Sequence, residues 1–316
     1  MQNETHVIFG TGPLGIAVMR ALLKRQVPVR MVNRSGRRTA DIPAEVEVVA
    51  GDAYQVDFTT EVTRDAAVVY QCAQPAYQEW VEKFPPLQAA ILEGAAANHA
   101  RLIVGENTYM YGDTNGHPMT EDMPYQPHTR KGRVRAEMAE ALLAAHRAGK
   151  VAVAMARGSD FFGPGVLGSA AGDRVFRPAL QGEKAQFTGK LDLPHTFTFI
   201  DDFGEAMAIL GEREEALGQA WHVPNDRPEI TQREFGELIF QETGHPPHMS
   251  GMGKLMMRIG GLFVPEAKEM VEMMYEFEKP FIVDSSKFTE TFQMQATPLP
   301  EAIRRTVEWY RNTRVG

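Results

Sequence analysis

"HVIFGTGPLGIAVMRALLKRQVPVRMVNRSGRR", residues 6–38, opens with an apolar run, breaks at glycines, and resumes with apolar residues at helical spacing. Val7 to Phe9 read as a buried strand, Ile16, Met19, Leu22 and Leu23 as one face of a helix, and a second strand ends at Val32. Between strand and helix stand Gly10-Thr11-Gly12-Pro13-Leu14-Gly15. A Gly-x-Gly-x-x-Gly carries little information alone; in this context it is a dinucleotide-binding turn. Its glycines let backbone N–H groups approach a pyrophosphate, and the helix N-terminus adds a favourable dipole.

The residue after the second strand separates cofactors, because NAD sites usually place an acidic side chain there for the ribose 2′-hydroxyl. Here it is Asn33, followed by Arg34-Ser35-Gly36-Arg37-Arg38. Arginines with a hydroxyl suit a 2′-phosphate, so Asn33, Arg34, Ser35 and Arg38 point to NADP(H) over NAD(H). A solvated basic loop is the competing reading.

Further strands follow. "VEVVAGDA" brings Asp52 and Ala53 to a strand end, where the carboxylate can accept from an adenine amine, and "AAVVYQCAQP" ends at Gln71, Cys72 and Ala73. "ARLIVGENTYMYGD" adds another strand. Helical patterns lie between them, so the expected fold is α/β: a Rossmann-type doubly wound parallel sheet with right-handed crossovers.

The chain has 316 residues, 43% of them hydrophobic, and a net charge of -8. Such an acidic balance argues against nucleic acid or an anionic membrane and for a small-molecule partner. With Cys72 as the single cysteine there is no disulfide framework and no cysteine-based zinc site. The N-terminus is polar and no run of eighteen apolar residues follows, so neither a signal peptide nor a membrane span is expected, and a cytoplasmic location is. No HExxH or GxSxG occurs, which leaves metal hydrolase and serine hydrolase chemistry without residues; no metal is expected.

Taken in order, "GTGPLG", "GDA", "ENTYMYGD", "ARGSDFFGPG", "TFIDDFGEAM" and "WHVPNDRPEIT" resemble the landmarks of the short-chain dehydrogenase/reductase superfamily. The resemblance is to its extended and atypical branches, which include epimerases and dehydratases. It implies a dinucleotide-binding domain over residues 1–162 and a smaller substrate-binding lobe over 163–316, with about 195–222 returning to the sheet. It also implies a Ser four residues before the Tyr of a Tyr-Gly pair, and a Tyr-x-x-x-Lys on a later helix. Matching Tyr111-Gly112 puts Asn107 at the serine. Matching Glu137 to the acid after the lysine puts Thr129 at the tyrosine and Arg133 at the lysine.

A threonine alcohol cannot act as a general acid near neutral pH, whereas a phenol can be shifted into range by cations. Tyr109 is therefore the substitute donor, with His128 as second candidate, and Arg133 is expected at the nicotinamide ribose. Packed or surface roles compete for both donors. Arg130, Lys131 and Arg135 read as a solvated helix face, with Glu137 and Glu140 placed for helical charge pairs. Ser159 is expected near the cofactor and Asp160 near the substrate, at a strand end where open α/β sheets bind ligands, with a turn role for Asp160 as the competing reading. Thr297 is expected to cap the last helix.

Methionines 249, 252, 256, 257, 270, 273 and 274 with Phe263, Tyr275 and Phe277 make an adaptable apolar set, core or pocket lining. The expected function is an NADP(H)-dependent oxidoreductase, or a related isomerase or lyase, acting on a small apolar carbonyl, alcohol or enone. A catalytically silent NADP(H)-binding redox sensor is the alternative, and a homodimer is left open.

Overall fold

The computed structural model describes residues 5–260 and 269–313. They divide into two compact units: Met1–Met110, Lys131–Arg157 and Asp201–Trp221 form the first; Tyr111–Arg130, Gly158–Ile200 and His222–Gly316 the second.

The first unit is built on seven strands: β1 (Thr5–Phe9), β2 (Val29–Asn33), β3 (Glu47–Ala50), β4 (Ala66–Gln71), β5 (Arg101–Glu106), β6 (Val153–Arg157) and β10 (Ala220–His222). Their order is β10-β6-β5-β4-β1-β2-β3. β1, β4, β5 and β6 pair in parallel and are apolar and almost wholly buried, as strands covered on both faces must be. The chain winds outward through β2 and β3, then returns to the far side of β1 and winds the other way through β4, β5 and β6. This reversal is the switch point at which doubly wound sheets bind ligands, outside the carboxyl ends of the strands.

The crossovers are helical: α1 (Pro13–Lys24), α2 (Val56–Val62), α3 (Trp80–Ala97) and α4 (Arg130–Arg147), with α6 (Ile200–Glu212) leading towards β10. α6 lies on α1 through Gly204, where any side chain would stand 2.4 Å from the Ala17 backbone.

The second unit has an aromatic core. Phe162, Phe176, Phe187, Phe197, Phe199, Phe235 and Tyr310 pack together, with Phe197 stacked on Phe235 at 4.2 Å. Two parallel pairs frame it: β7 (Asp160–Phe162) with β9 (Phe197–Phe199), and β8 (Ala185–Thr188) with β11 (Met249–Met252). "PEITQREF" starts α7 (Gln232–Thr243) with a capping box: Thr231 Oγ1 accepts from the Glu234 N–H at 3.1 Å, and Glu234 Oε2 accepts from the Thr231 N–H at 2.9 Å. The last helix, Leu299–Asn312, departs from expectation, since Pro298 is its N-cap rather than Thr297. Asp226 takes the capping role from outside, accepting from the Leu299 N–H at 2.8 Å.

The methionine-rich stretch does not form one surface. Met257, Met273, Met274 and Phe277 are buried, Met256 is exposed, Met249, Met252, Met270 and Tyr275 are half-buried, and Phe263 lies outside the described residues. Among the described residues no helix is long and apolar enough to cross a membrane, and no group of three or more His, Cys, Asp or Glu stands ready for a metal.

Candidate functional site

The three glycines of the turn have three different jobs. Gly10 has φ +112°, a conformation that favours glycine, and a side chain there would meet the Ala73 N–H at 2.8 Å. At Gly15 a side chain would meet the Gly10 carbonyl at 2.1 Å. Gly12, the N-cap of α1, has nothing within 4 Å of its would-be Cβ, and the cap makes no side-chain hydrogen bond. Pro13 at the helix start has no N–H to lose. The first-turn donors, Leu14 and Gly15 among them, therefore face a cradle open at Gly12, which fits a pyrophosphate.

Gln71, at the end of β4 beside Phe9, is 2% exposed, and among the described residues neither its amide nitrogen nor its amide oxygen has a hydrogen-bond partner. An orphaned amide costs free energy that a polar ligand group can recover. Cys72 follows it, and burial pushes its thiol up, so it is a neutral thiol rather than a nucleophile.

After β2, Asn33 organises the loop from within. Its amide oxygen accepts from the N–H groups of Ser35 at 3.0 Å and Gly36 at 2.7 Å, and its amide nitrogen donates to Arg37 O at 2.9 Å and Thr11 Oγ1 at 3.2 Å. The side chain is thus spent on shaping the loop. Arg34, Ser35, Arg37 and Arg38 are left exposed, and none of the three arginines is in an ion pair among the described residues. Arg38 donates to the Pro43 carbonyl. Asp52 is likewise engaged in its own turn, accepting from the Tyr54 N–H and the Gln55 amide, both at 3.1 Å, while its side chain stays exposed next to Ala53.

The cationic stretch does not behave as a solvated face. Arg130 and Arg133 are exposed, as are Glu137 and Glu140, but Lys131 and Arg135 are each 1% exposed. Lys131 and Arg135 are one helical turn apart, so they share the face of α4 that also buries Met138 and Leu142. Arg135 donates to Glu106 Oε1 at 3.2 Å, and Arg157 donates through Nε to Glu106 Oε2 at 3.0 Å; all three side chains are at most 1% exposed. Glu106 and Arg157 are register partners at the ends of β5 and β6. Burial pushes the Arg135 guanidinium down, and the Glu106 carboxylate opposes that shift.

Tyr109 is half-buried in the loop that follows. Asn107 accepts from its backbone N–H at 3.3 Å, which closes the turn after β5. The Tyr109 hydroxyl lies 3.4 Å from that of Tyr77, in the segment after β4. Trp80 packs edge-on against Tyr77 at 5.0 Å and tilted against Tyr109 at 6.0 Å. The Lys131 ammonium stands 4.5 Å from the Tyr77 ring centroid. The residues that the sequence reading did not single out are thus Tyr77 and Trp80 against Tyr109, and Glu106 and Arg157 with Arg135. The signal available for Glu106 and Arg157 was a pair of apolar strands, "RLIVGE" and "VAMAR", ending in opposite charges.

The remaining candidates belong to the second unit. Thr129 is 5% exposed, and His128 is exposed with its ring 4.6 Å from Tyr275. Ser159 is buried: its N–H donates to Thr198 Oγ1 at 3.0 Å and its hydroxyl to the Thr196 carbonyl. Asp160 Oδ2 lies 2.8 Å from His195 Nε2, and the His195 ring stacks on Phe277 and Phe281, each at 5.0 Å. Burial and nearby Asp160 hold the Glu276 carboxyl well above its ordinary range, favouring the protonated acid.

A doubly wound sheet with an open glycine turn at its switch point defines a nucleotide-cofactor-binding α/β protein. The chain belongs to the NAD dependent epimerase/dehydratase family, whose model matches residues 7–223, and it is therefore a member of an enzyme family. The extended short-chain dehydrogenase/reductase resemblance read from the motifs holds. Among solved structures the chain is similar to UDP-N-acetylglucosamine 4-epimerase from Bacillus cereus, with 15% identity, a TM-score of 0.78 and coverage of 99% of this chain and 98% of that one. An epimerase from Methanothermobacter thermautotrophicus shares 18% identity at a TM-score of 0.79, over 98% and 92% of the two chains. For dTDP-glucose 4,6-dehydratase from Bacillus anthracis, in complex with NAD, the values are 15% and 0.79, over 98% and 97%. At these identities the likeness shows the fold alone. No match is found among curated proteins.

Proposed function

We propose that the protein is an NADP(H)-dependent oxidoreductase acting on a small, uncharged, largely apolar carbonyl, alcohol or enone. The observation that carries this reading is a phenol, Tyr109, in the loop after β5 of the sheet whose β1 turn holds the open cradle. Parallel pairing of β1, β4 and β5 brings Gly10, Cys72 and Asn107 out at the same edge. The bound dinucleotide supplies or accepts hydride. The chain would supply the rest: the α1 N-terminus would hold the pyrophosphate, Arg34 and Arg38 the 2′-phosphate and Arg133 the nicotinamide ribose, and the Tyr109 hydroxyl would give a proton to the substrate oxygen. Arg133 is always protonated, so it can hold charge but cannot shuttle a proton.

Sugar nucleotides, which neighbours in this fold are named for, are the competing substrate class. With NADPH supplied, apolar aldehydes, ketones and enones should be reduced with loss of NADPH absorbance, while UDP- or dTDP-sugars, offered with NAD(P)+ and analysed by chromatography because their epimerisation or dehydration consumes no net cofactor, should be recovered unchanged. Turnover of the sugars alone would overturn the substrate class. NADPH binding with no cofactor consumed and every substrate recovered unchanged would instead mark a silent sensor.

A further inference from the structure

Lys131 breaks two local rules at once. It is a lysine with 1% exposure, and it sits in the first turn of α4, where the helix dipole disfavours a cation and where no acidic residue is present. Violations of this kind concentrate at functional sites, where another interaction compensates. That interaction is visible in part: the ammonium stands over the face of Tyr77, whose hydroxyl is 3.4 Å from that of Tyr109.

Resting on the reading of Tyr109 as proton donor, we infer that Tyr77 is the residue that reprotonates it, and that Lys131 is a positioning residue acting through Tyr77. When Tyr109 gives its proton to the substrate oxygen, its O–H bond breaks and a phenolate remains. The Tyr77 hydroxyl then transfers its proton to Tyr109, and water returns one to Tyr77, which is half-buried. No electrons change hands in this relay. The charge that develops on the two phenols is met from α4 on two sides. Lys131 faces the Tyr77 ring, and the Arg135 charge acts on Tyr109 while its guanidinium lies 4.7 Å from Phe84. The counter-charge is Glu106 of β5, which Arg157 shares. Trp80, fixed by its indole N–H donating to the Pro75 carbonyl at 3.3 Å, holds both phenol rings in place.

The test is a spectroscopic titration of tyrosinate absorbance in the free protein, which needs neither substrate nor cofactor. The Tyr109 step is assigned by its disappearance in Tyr109→Phe. With Lys131→Met that step should move to higher pH by about one unit, the effect of removing one nearby cation. Lys131→Arg, which keeps the charge, should restore it. Tyr77→Phe keeps the ring under the ammonium and removes the hydroxyl; it should also raise the Tyr109 step, and it gives the same reading if Lys131→Met fails to fold. An unchanged Tyr109 step in both Lys131→Met and Tyr77→Phe would overturn the relay and leave a structural cation–aromatic contact. A wild-type protein that binds no NADPH would overturn the functional reading while leaving the titration result intact.

Discussion

Glu106→Ala is expected to lower the unfolding free energy by about 3–5 kcal/mol, the range for breaking a buried ion pair. The substitution removes the carboxylate common to Arg135 and Arg157, both fully enclosed, and leaves their charges desolvated without their shared counter-ion. Breaking the cluster differs from replacing it whole. A simultaneous change of all three residues to apolar ones of similar volume should cost far less, because the penalty lies in buried charge deprived of this counter-ion rather than in lost attraction. Urea denaturation would read the loss as a lower midpoint at unchanged slope. Glu106→Gln, which keeps the shape and one acceptor, should fall between wild type and Glu106→Ala. A loss below about 1 kcal/mol for the alanine variant, the scale of an exposed pair, would show that the arginines find other solvation.

The second large effect belongs to Tyr109→Phe, which should reduce turnover on an accepted carbonyl by about 10²–10⁴-fold, the usual contribution of a general acid. Affinity for NADPH should change little, because the phenol acts on the reacting oxygen and not on the cofactor's phosphates. Thr129→Val serves as the contrast. Thr129 occupies the position at which the family resemblance expects the tyrosine, yet its alcohol is too weak an acid to serve, so the valine variant should keep most of its activity. Near-normal turnover in Tyr109→Phe, measured on the same substrate, would remove the phenol from the mechanism and make His128 the next residue to test.

The glycine turn and the alternation of strands and helices that makes a doubly wound parallel sheet were legible in the sequence because their signals are local. Val7–Phe9, the three glycines and the apolar face of α1 lie within one short stretch, and each element's pattern agrees with its neighbour's. The surroundings of Tyr109 were not, for a physical reason. Lys131 and Arg135 look like solvent-facing charges when α4 is read by itself, and what buries them comes from far along the chain: Tyr77 after β4, and Glu106 and Arg157 at the ends of β5 and β6. Charges on a helix face say nothing about distant partners. Asn33 shows the same limit in miniature. The absence of an acid after β2 was readable, but not that the amide would be spent on organising the arginine loop. At the last helix, a cap expected from Thr297 came instead from Asp226, a residue 73 positions away in sequence from the N–H it accepts.

Isothermal titration of the purified protein with NADPH and, separately, NADH tests the central claim most directly. A single charge-assisted contact from Arg34 or Arg38 to the 2′-phosphate should contribute roughly 1.5–3 kcal/mol, so NADPH should bind about 10- to 150-fold more tightly. In the Arg34→Ala, Arg38→Ala double variant the two affinities should converge, with that for NADH unchanged. Equal affinities in the wild type, or a preference for NADPH that survives loss of both arginines, would contradict the account.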